Sequence, residues 1–173
     1  MTVENEWEIY AFPKVEGLPA HGGVKVVEDI SVDGLAAAMS RGERVLLLGS
    51  GPFKALKTTF RIGMAGRCYG NYATVIDAMH PAMRGMPHEG FCGWQFRHMM
   101  EGGRAVQLEA DVPFDPVIDV ASSVKMPIRQ AYLFEYRVGE GRLLVCSFRL
   151  DEGDPAARWL KAGLVRYAAG PLF

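Results

Sequence analysis

The sequence has no block of basic residues, no long apolar run, only three cysteines and only four histidines. Nineteen Lys and Arg stand against twenty Asp and Glu, for a formal charge of −1. Neither sign gathers into a stretch that would neutralise a phosphate backbone or an anionic bilayer, so nucleic acid and membrane are not expected partners. The longest purely apolar runs, such as Val45 to Leu48, fall far short of the ~20 residues that cross a bilayer. The first residues are acidic rather than basic and then apolar, so the sequence offers no signal peptide or transmembrane segment and a soluble chain is expected.

Three cysteines, Cys68, Cys92 and Cys146, make an odd, widely spaced set that fits neither a disulfide framework nor a CxxC metal clip. Cys146 sits in the apolar run from Arg142 to Phe148 and reads as a small core hydrophobe. GxSxG and GxCxG elbows are missing, and so are the GxxxxGK[ST] and GxGxxG phosphate cradles. Gly49-Ser-Gly51 comes nearest to an elbow and reads as a turn at a strand end. No catalytic residue, resident metal or cofactor is expected from these patterns.

What is present is the composition of one globular domain over residues 1–173, with 49% hydrophobic and 23% charged residues. Trp7 to Phe12 alternates apolar and polar side chains and predicts an opening strand; Val24 to Val27 predicts a second. Ser31 is a candidate N-cap, and Val32, Leu35, Ala36 and Met39 then fall at helical spacing before Gly42. Arg44 to Leu48 is almost wholly apolar, as a strand covered on both faces would be. Strand, helix and buried strand in this order predict a βαβ unit and a mostly parallel α/β sheet. Residues 52 to 87 lack a clean period apart from a strand near Ala73 to Ile76, and Phe91 to Met100 reads as a helix with Trp94 and the methionines inward. Ala131 to Val138 and Arg142 to Leu150 predict a hairpin about Gly139-Glu-Gly141. Asp154 and Pro155 open a closing helix with Trp159, Leu160, Leu164 and Tyr167 on one face.

The densest polar cluster is Pro87-His-Glu-Gly-Phe-Cys-Gly-Trp94, with His98 beyond it and His80-Pro81 before it. His88, Glu89, Cys92 and His98 offer nitrogen, oxygen and sulfur, but their spacing matches no established metal pattern. Three readings stand: His88 and Glu89 cap a helix while Trp94 packs; His88, Glu89, Trp94 and His98 contact a ligand such as a carbohydrate; or the cluster has a metal or catalytic role.

Several strings carry a family resemblance: Thr58-Thr-Phe-Arg-Ile-Gly-Met64, His80-Pro-Ala-Met-Arg-Gly-Met-Pro87 and Gly93-Trp-Gln-Phe96, with Asn5-Glu-Trp7 before them, Leu133 to Ser147 after them and Ala157-Arg-Trp-Leu in the last helix. In order and spacing they resemble the C-terminal region of large bacterial proteins of the glycoside hydrolase family 2 and sugar-binding type. The resemblance implies a three-layer, mostly parallel, flavodoxin-like sheet similar to class I glutamine amidotransferases, ending in a β-hairpin and a helix. It implies a non-catalytic accessory domain whose partner is a sibling catalytic domain or a second copy. Family 2 chemistry uses two carboxylates on a separate barrel of ~250 residues, too large for this chain. The alternatives are a carbohydrate-binding module, which needs Trp7, Trp94, Tyr69 or Tyr72 exposed, and an amidotransferase-like hydrolase, which needs a reactive thiol within reach of His88 or His98. Amidotransferases carry a histidine after the cysteine; Cys146 has none after it, and Cys68 and Cys92, which precede histidines, follow no strong strand as an elbow residue should.

Overall fold

The structure, a computed structural model, describes residues 3–60, 73–109, 115–122 and 128–173. After an extended arm it runs β1 (Val24–Val27), α1 (Val32–Ser40), β2 (Arg44–Leu48), β3 (Ala55–Lys57), β4 (Ala73–Ile76), α2 (Arg97–Met100), β5 (Arg104–Gln107), β6 (Ile118–Ala121), β7 (Arg129–Val138), β8 (Gly141–Cys146) and α3 (Pro155–Ala169). Single 3-10 turns cover Pro81–Met83 and Trp94–Phe96.

The sheet overturns the expected flavodoxin-like, mostly parallel arrangement. Among the described residues only β1 with β2 and β2 with β8 pair in parallel; β7 with β8, β5 with β7, β3 with β5, β6 with β7 and β4 with β6 are antiparallel. The reason lies in what the sequence does not provide. A parallel sheet needs a crossover of a dozen or more residues between strands, and only the β1–α1–β2 segment supplies one locally. β7 and β8 are joined by the tight turn at Gly139-Glu140, which can only pair them antiparallel.

β7 joins the two halves. Ala131 pairs with both Val106 and Asp119, and Leu133 pairs with both Cys146 and Ile118. A residue has one partner on each edge, so β8 and β5 share one edge of β7 end to end while β6 takes the other. The register skips Tyr132 between Ile118 and Asp119, a β-bulge. Ser147 occupies the junction: its backbone N–H donates to Tyr132 O at 2.8 Å.

Two apolar clusters fill the two faces. One gathers Leu46, Leu144, Cys146, Leu133 and Tyr132 beneath Leu160, Leu164 and Tyr167 of α3, with Met83, Phe96, Met99 and Met100. The other joins Val45, Leu47, Val145, Leu143, Phe134 and Val106 to Ala38 and Met39 of α1. α3 starts as expected, with Asp154 accepting the Ala156 N–H at 2.9 Å and Pro155 in the first turn. Ser31 caps α1 by accepting the Gly34 N–H at 3.1 Å.

Three local expectations are corrected. Trp7 to Phe12 forms no strand; Trp7 and Ile9 are 81% and 89% exposed, because alternation makes an amphipathic ribbon only where a neighbour supplies backbone partners. Phe91 to Met100 is not one helix, since the Cys92 N–H is held by Thr74 Oγ1 at 2.8 Å and only Arg97–Met100 is α-helical. Met99 and Met100 face inward, but Trp94 faces out. The hairpin turn is Gly139-Glu140, and Gly141 opens β8, where a Cβ would stand 2.6 Å from Met39 O. Glycine therefore lets the end of α1 rest on β8. Among the described residues no helix is long and apolar enough to cross a membrane.

Candidate functional site

Trp94 and His98 stand on the short turn and helix from Trp94 to Met100, and both reach one surface groove. The groove, about 530 Å³, is walled by Tyr10, Ala11 and Phe12 of the arm and by Asp154, Pro155 and Ala156 at the start of α3. Trp94 is 64% exposed. Its indole lies 5.0 Å from the Phe60 ring, and the Arg97 guanidinium sits 5.7 Å from its centroid. Beneath it Gln95 is buried and donates Nε2–H to Pro87 O at 2.7 Å, while Oε1 has no partner among the described residues. A Cβ on Gly93 would meet that oxygen at 2.7 Å, so glycine is what makes room for the carboxamide.

The other two sequence-predicted residues are not brought into this groove. The half-buried His88 accepts the Gly90 N–H on Nδ1 at 3.1 Å, closing a turn rather than capping a helix. Glu89 is exposed and acts on the groove only at a distance: the Tyr10 phenol is raised first by its hydrogen bond to Glu8, then by burial, with Glu89 a lesser contributor. Tyr69 and Tyr72 lie outside the described residues.

The thiols are placed for packing. Cys92 and Cys146 are both buried, and burial pushes each thiol up to about 12, with a hydrogen bond at Thr74 opposing it at Cys92 and one at the Phe148 backbone opposing it at Cys146. A thiolate is not within reach of neutral pH at either position, which removes both as nucleophiles for an amidotransferase-like step. Cys68 lies outside the described residues. Among the described residues no three His, Cys, Asp or Glu side chains converge as metal ligands.

A polar set that the sequence did not single out joins the turn at Pro81, β7 and α3. The Tyr167 hydroxyl donates to Glu135 Oε2 at 2.7 Å, and His80 Nε2 approaches Glu135 Oε1 at 3.7 Å. Ala82 N–H donates to His80 Nδ1 at 3.3 Å, so the ring proton sits on Nε2, towards Glu135. Burial alone would raise the Glu135 carboxyl; the nearby His80 ring, the hydrogen bond from Tyr167 and the charge of Arg142 outweigh it and hold the group below the usual carboxylate range. Burial and the Glu135 carboxylate push the Tyr167 phenol upward. Nothing in the spacing of His80, Glu135 and Tyr167 announces the set, because three elements far apart in sequence, the Pro81 turn, β7 and α3, supply one residue each.

A second surface feature is apolar. Between α1, the Phe53 loop and the β7–β8 turn lies an open groove of about 720 Å³, walled by Val32, Leu35, Ala36, Met39, Phe53 and Val138. It adjoins a smaller cavity of about 340 Å³ floored by Val106, Leu108, Phe134 and Leu143. The helical stripe Val32, Leu35, Ala36 and Met39, which periodicity assigns to the core, thus borders the open groove, and Ala38 is the residue α1 seats fully in the core.

The family model of a domain of unknown function, DUF8487, matches residues 27–173. The chain belongs to the DUF8487 family. No curated protein matches the chain. The DUF8487 match takes in the whole sheet beyond β1, both apolar grooves' helices and the His80–Glu135–Tyr167 set, and begins after the arm that walls the Trp94 groove.

Proposed function

We propose that this DUF8487 chain is an accessory domain of a carbohydrate-active protein of the glycoside hydrolase family 2 type, packing against a catalytic barrel or a second copy to complete a cleft. The observation that carries the reading is α1: its apolar stripe borders an open groove, with Val32 66% and Val138 54% exposed at the mouth. An amphipathic helix face left open in this way is the form of an interaction surface. The resemblance of the strings from Thr58 to Phe96 supplies the carbohydrate-active context, by analogy.

The test is to mix the chain with the family 2-type barrel of the same organism and measure complex formation by sedimentation velocity. A complex lost on Val138→Glu supports the reading; no complex, or one indifferent to Val138→Glu, overturns it.

The Trp94 groove favours a second reading, a carbohydrate-binding site. An exposed indole beside His98 and the Tyr10 phenol offers a stacking face and polar groups for hydroxyls. Calorimetric titration with oligosaccharides, followed in parallel by tryptophan fluorescence, separates the two. Saturable binding abolished in Trp94→Ala establishes the carbohydrate site, and a silent panel removes it.

A further inference from the structure

We propose that a small pocket between the Pro81 turn and the end of α3 binds a small phosphate monoester. The pocket shares no residue with the two grooves and the cavity described above, so its occupant is separate from whatever those surfaces engage.

The pocket, about 260 Å³, is walled by Arg84 of the turn, by Gly163, Arg166 and Tyr167 of α3, and by Pro171 and Leu172 beyond the helix. Residues 163, 166 and 167 fall at helical spacing, so one face of α3 forms a wall. No acidic side chain lines the pocket, and among the described residues neither Arg84 nor Arg166 has a carboxylate within ion-pair distance. The nearby Glu135 is taken by the Tyr167 hydroxyl at 2.7 Å and approached by His80 at 3.7 Å. Two guanidiniums that share one pocket without a counter-ion repel each other, and an anion bound there turns repulsion into attraction.

The two elements that carry the arginines are tied together. The Trp159 indole N–H donates to Gly85 O at 2.8 Å, one residue from Arg84, and the Arg166 guanidinium lies 5.4 Å from the centroid of an indole ring that is the same Trp159. One tryptophan thus fastens the turn to α3 and gives Arg166 a face to stack on, which reduces the ordering that a ligand must impose.

Gly163 is an independent mark of the site. It stands in the middle of α3, where glycine is the poorest helix former after proline. A Cβ there would meet no heavy atom within 4 Å, so packing does not demand glycine. What glycine provides is bare helix on the pocket wall, over which a ligand can lie closely.

Charge and size select the ligand. The end of α3 contributes roughly half a negative charge, which leaves about one and a half positive charges from the two arginines. A phosphate monoester carries about 1.5 to 2 negative charges at pH 7 and offers several oxygens to the guanidinium forks, whereas a carboxylate carries one charge. The pocket is smaller than the roughly 300–1,000 Å³ that encloses a drug-sized molecule, so the esterified group is small and rests on Pro171, Leu172 and Tyr167.

Calorimetric titration of the full chain at low salt with phenyl phosphate, inorganic phosphate and benzoate tests this. Phenyl phosphate should bind saturably, and roughly tenfold or more tightly than either of the others. Arg84 and Arg166 are exposed, so Arg84→Gln and Arg166→Gln keep the fold, and each should weaken binding by about tenfold or more. Gly163→Ala should raise Tm, as this change does in a helix, and still weaken binding; damage to the fold would move both the same way. The proposal is overturned by phenyl phosphate that does not bind below about 10 mM, by benzoate or inorganic phosphate binding as tightly, or by any of the three variants binding as the parent does.

Discussion

Replacing Gly141 by alanine tests the seating of α1 on the sheet, from which the apolar groove takes its shape. A Cβ at this position would stand 2.6 Å from Met39 O, 2.7 Å from Met39 Cα and 3.1 Å from Met39 C. All three are backbone atoms, so no side-chain rotation relieves the contact; α1 or β8 must shift by roughly 1 Å to reach ordinary separation. β8 is held on both sides, by β2 and by β7, so the helix is the part that moves. Overpacking of this kind costs about 1–3 kcal/mol, and the upper end applies where backbone is involved. Alanine in a strand recovers roughly 0.5–1 kcal/mol of the glycine penalty. The net expectation is a loss of about 2 kcal/mol, or a fall in Tm of roughly 4–8 °C for a chain of this size. Gly139→Ala is the control: its φ of +60° strains any side chain, yet nothing lies within 4 Å of the new atom. It should cost about 1–2 kcal/mol from backbone strain alone and leave the seating of α1 on β8 unchanged. Urea unfolding of both variants, with dye binding to the groove read in parallel, makes the comparison. A Gly141→Ala chain within about 0.5 kcal/mol of the parent would refute the close contact between α1 and β8.

Cys92 and Cys146 should resist iodoacetamide at neutral pH in the folded chain and react fully in urea, read by mass spectrometry of the peptides; rapid labelling of either in the native state would contradict their burial. The Glu135 carboxyl lies below its unfolded value when folded, so its contribution is present above about pH 4.3 and is lost as pH falls through the folded value. Glu135→Gln should therefore lower Tm at pH 7, with the gap to the parent narrowing as acidification carries the pH through the folded value; a gap that does not narrow would show that the ionised form is not what His80 and Tyr167 hold. Asp154→Ala removes the cap of α3 and should cost about 1 kcal/mol, measured by urea unfolding, while Asp154→Asn should restore most of it. Trp94→Phe should remove a large share of the fluorescence that acrylamide quenches, since Trp94 is 64% exposed; an unchanged quenching profile would place that indole in the interior.

The elements that sequence reading recovers are those with strong local causes. Ser31 and Asp154 cap helices, Pro155 suits a first helical turn, and Val45 to Leu48 is apolar throughout because α1 and α3 cover both faces of β2. The mostly parallel sheet was inferred from one genuine βαβ unit and extended to strands that have no crossover of their own. Trp7 to Phe12 misled in a different way, since alternation reports amphipathicity and says nothing of whether a partner strand exists. At the site, Trp94 and His98 are neighbours in the sequence and neighbours in the groove, so proximity along the chain was informative. His88 and Glu89 failed by the same criterion, because the turn closed by His88 and Gly90 directs the chain away. The arm and the start of α3, which complete the groove, come from residues about 140 positions apart, and no local pattern reports such a meeting.

The pairing of β2 with β8 has a consequence for how the chain comes off the ribosome. Arg44–Leu48 docks beside Gly141–Cys146, nearly one hundred residues later. During synthesis at about 5–20 residues per second, β1, α1 and β2 are complete several seconds before their central neighbour exists. Throughout that interval Val45, Leu46 and Leu47, sealed from water in the finished fold, have neither β8 beside them nor α3 above them. A nascent chain arrested anywhere before Gly141 leaves one edge of β2 unpaired, with an apolar strand beside it, as a sticky edge to whatever is near.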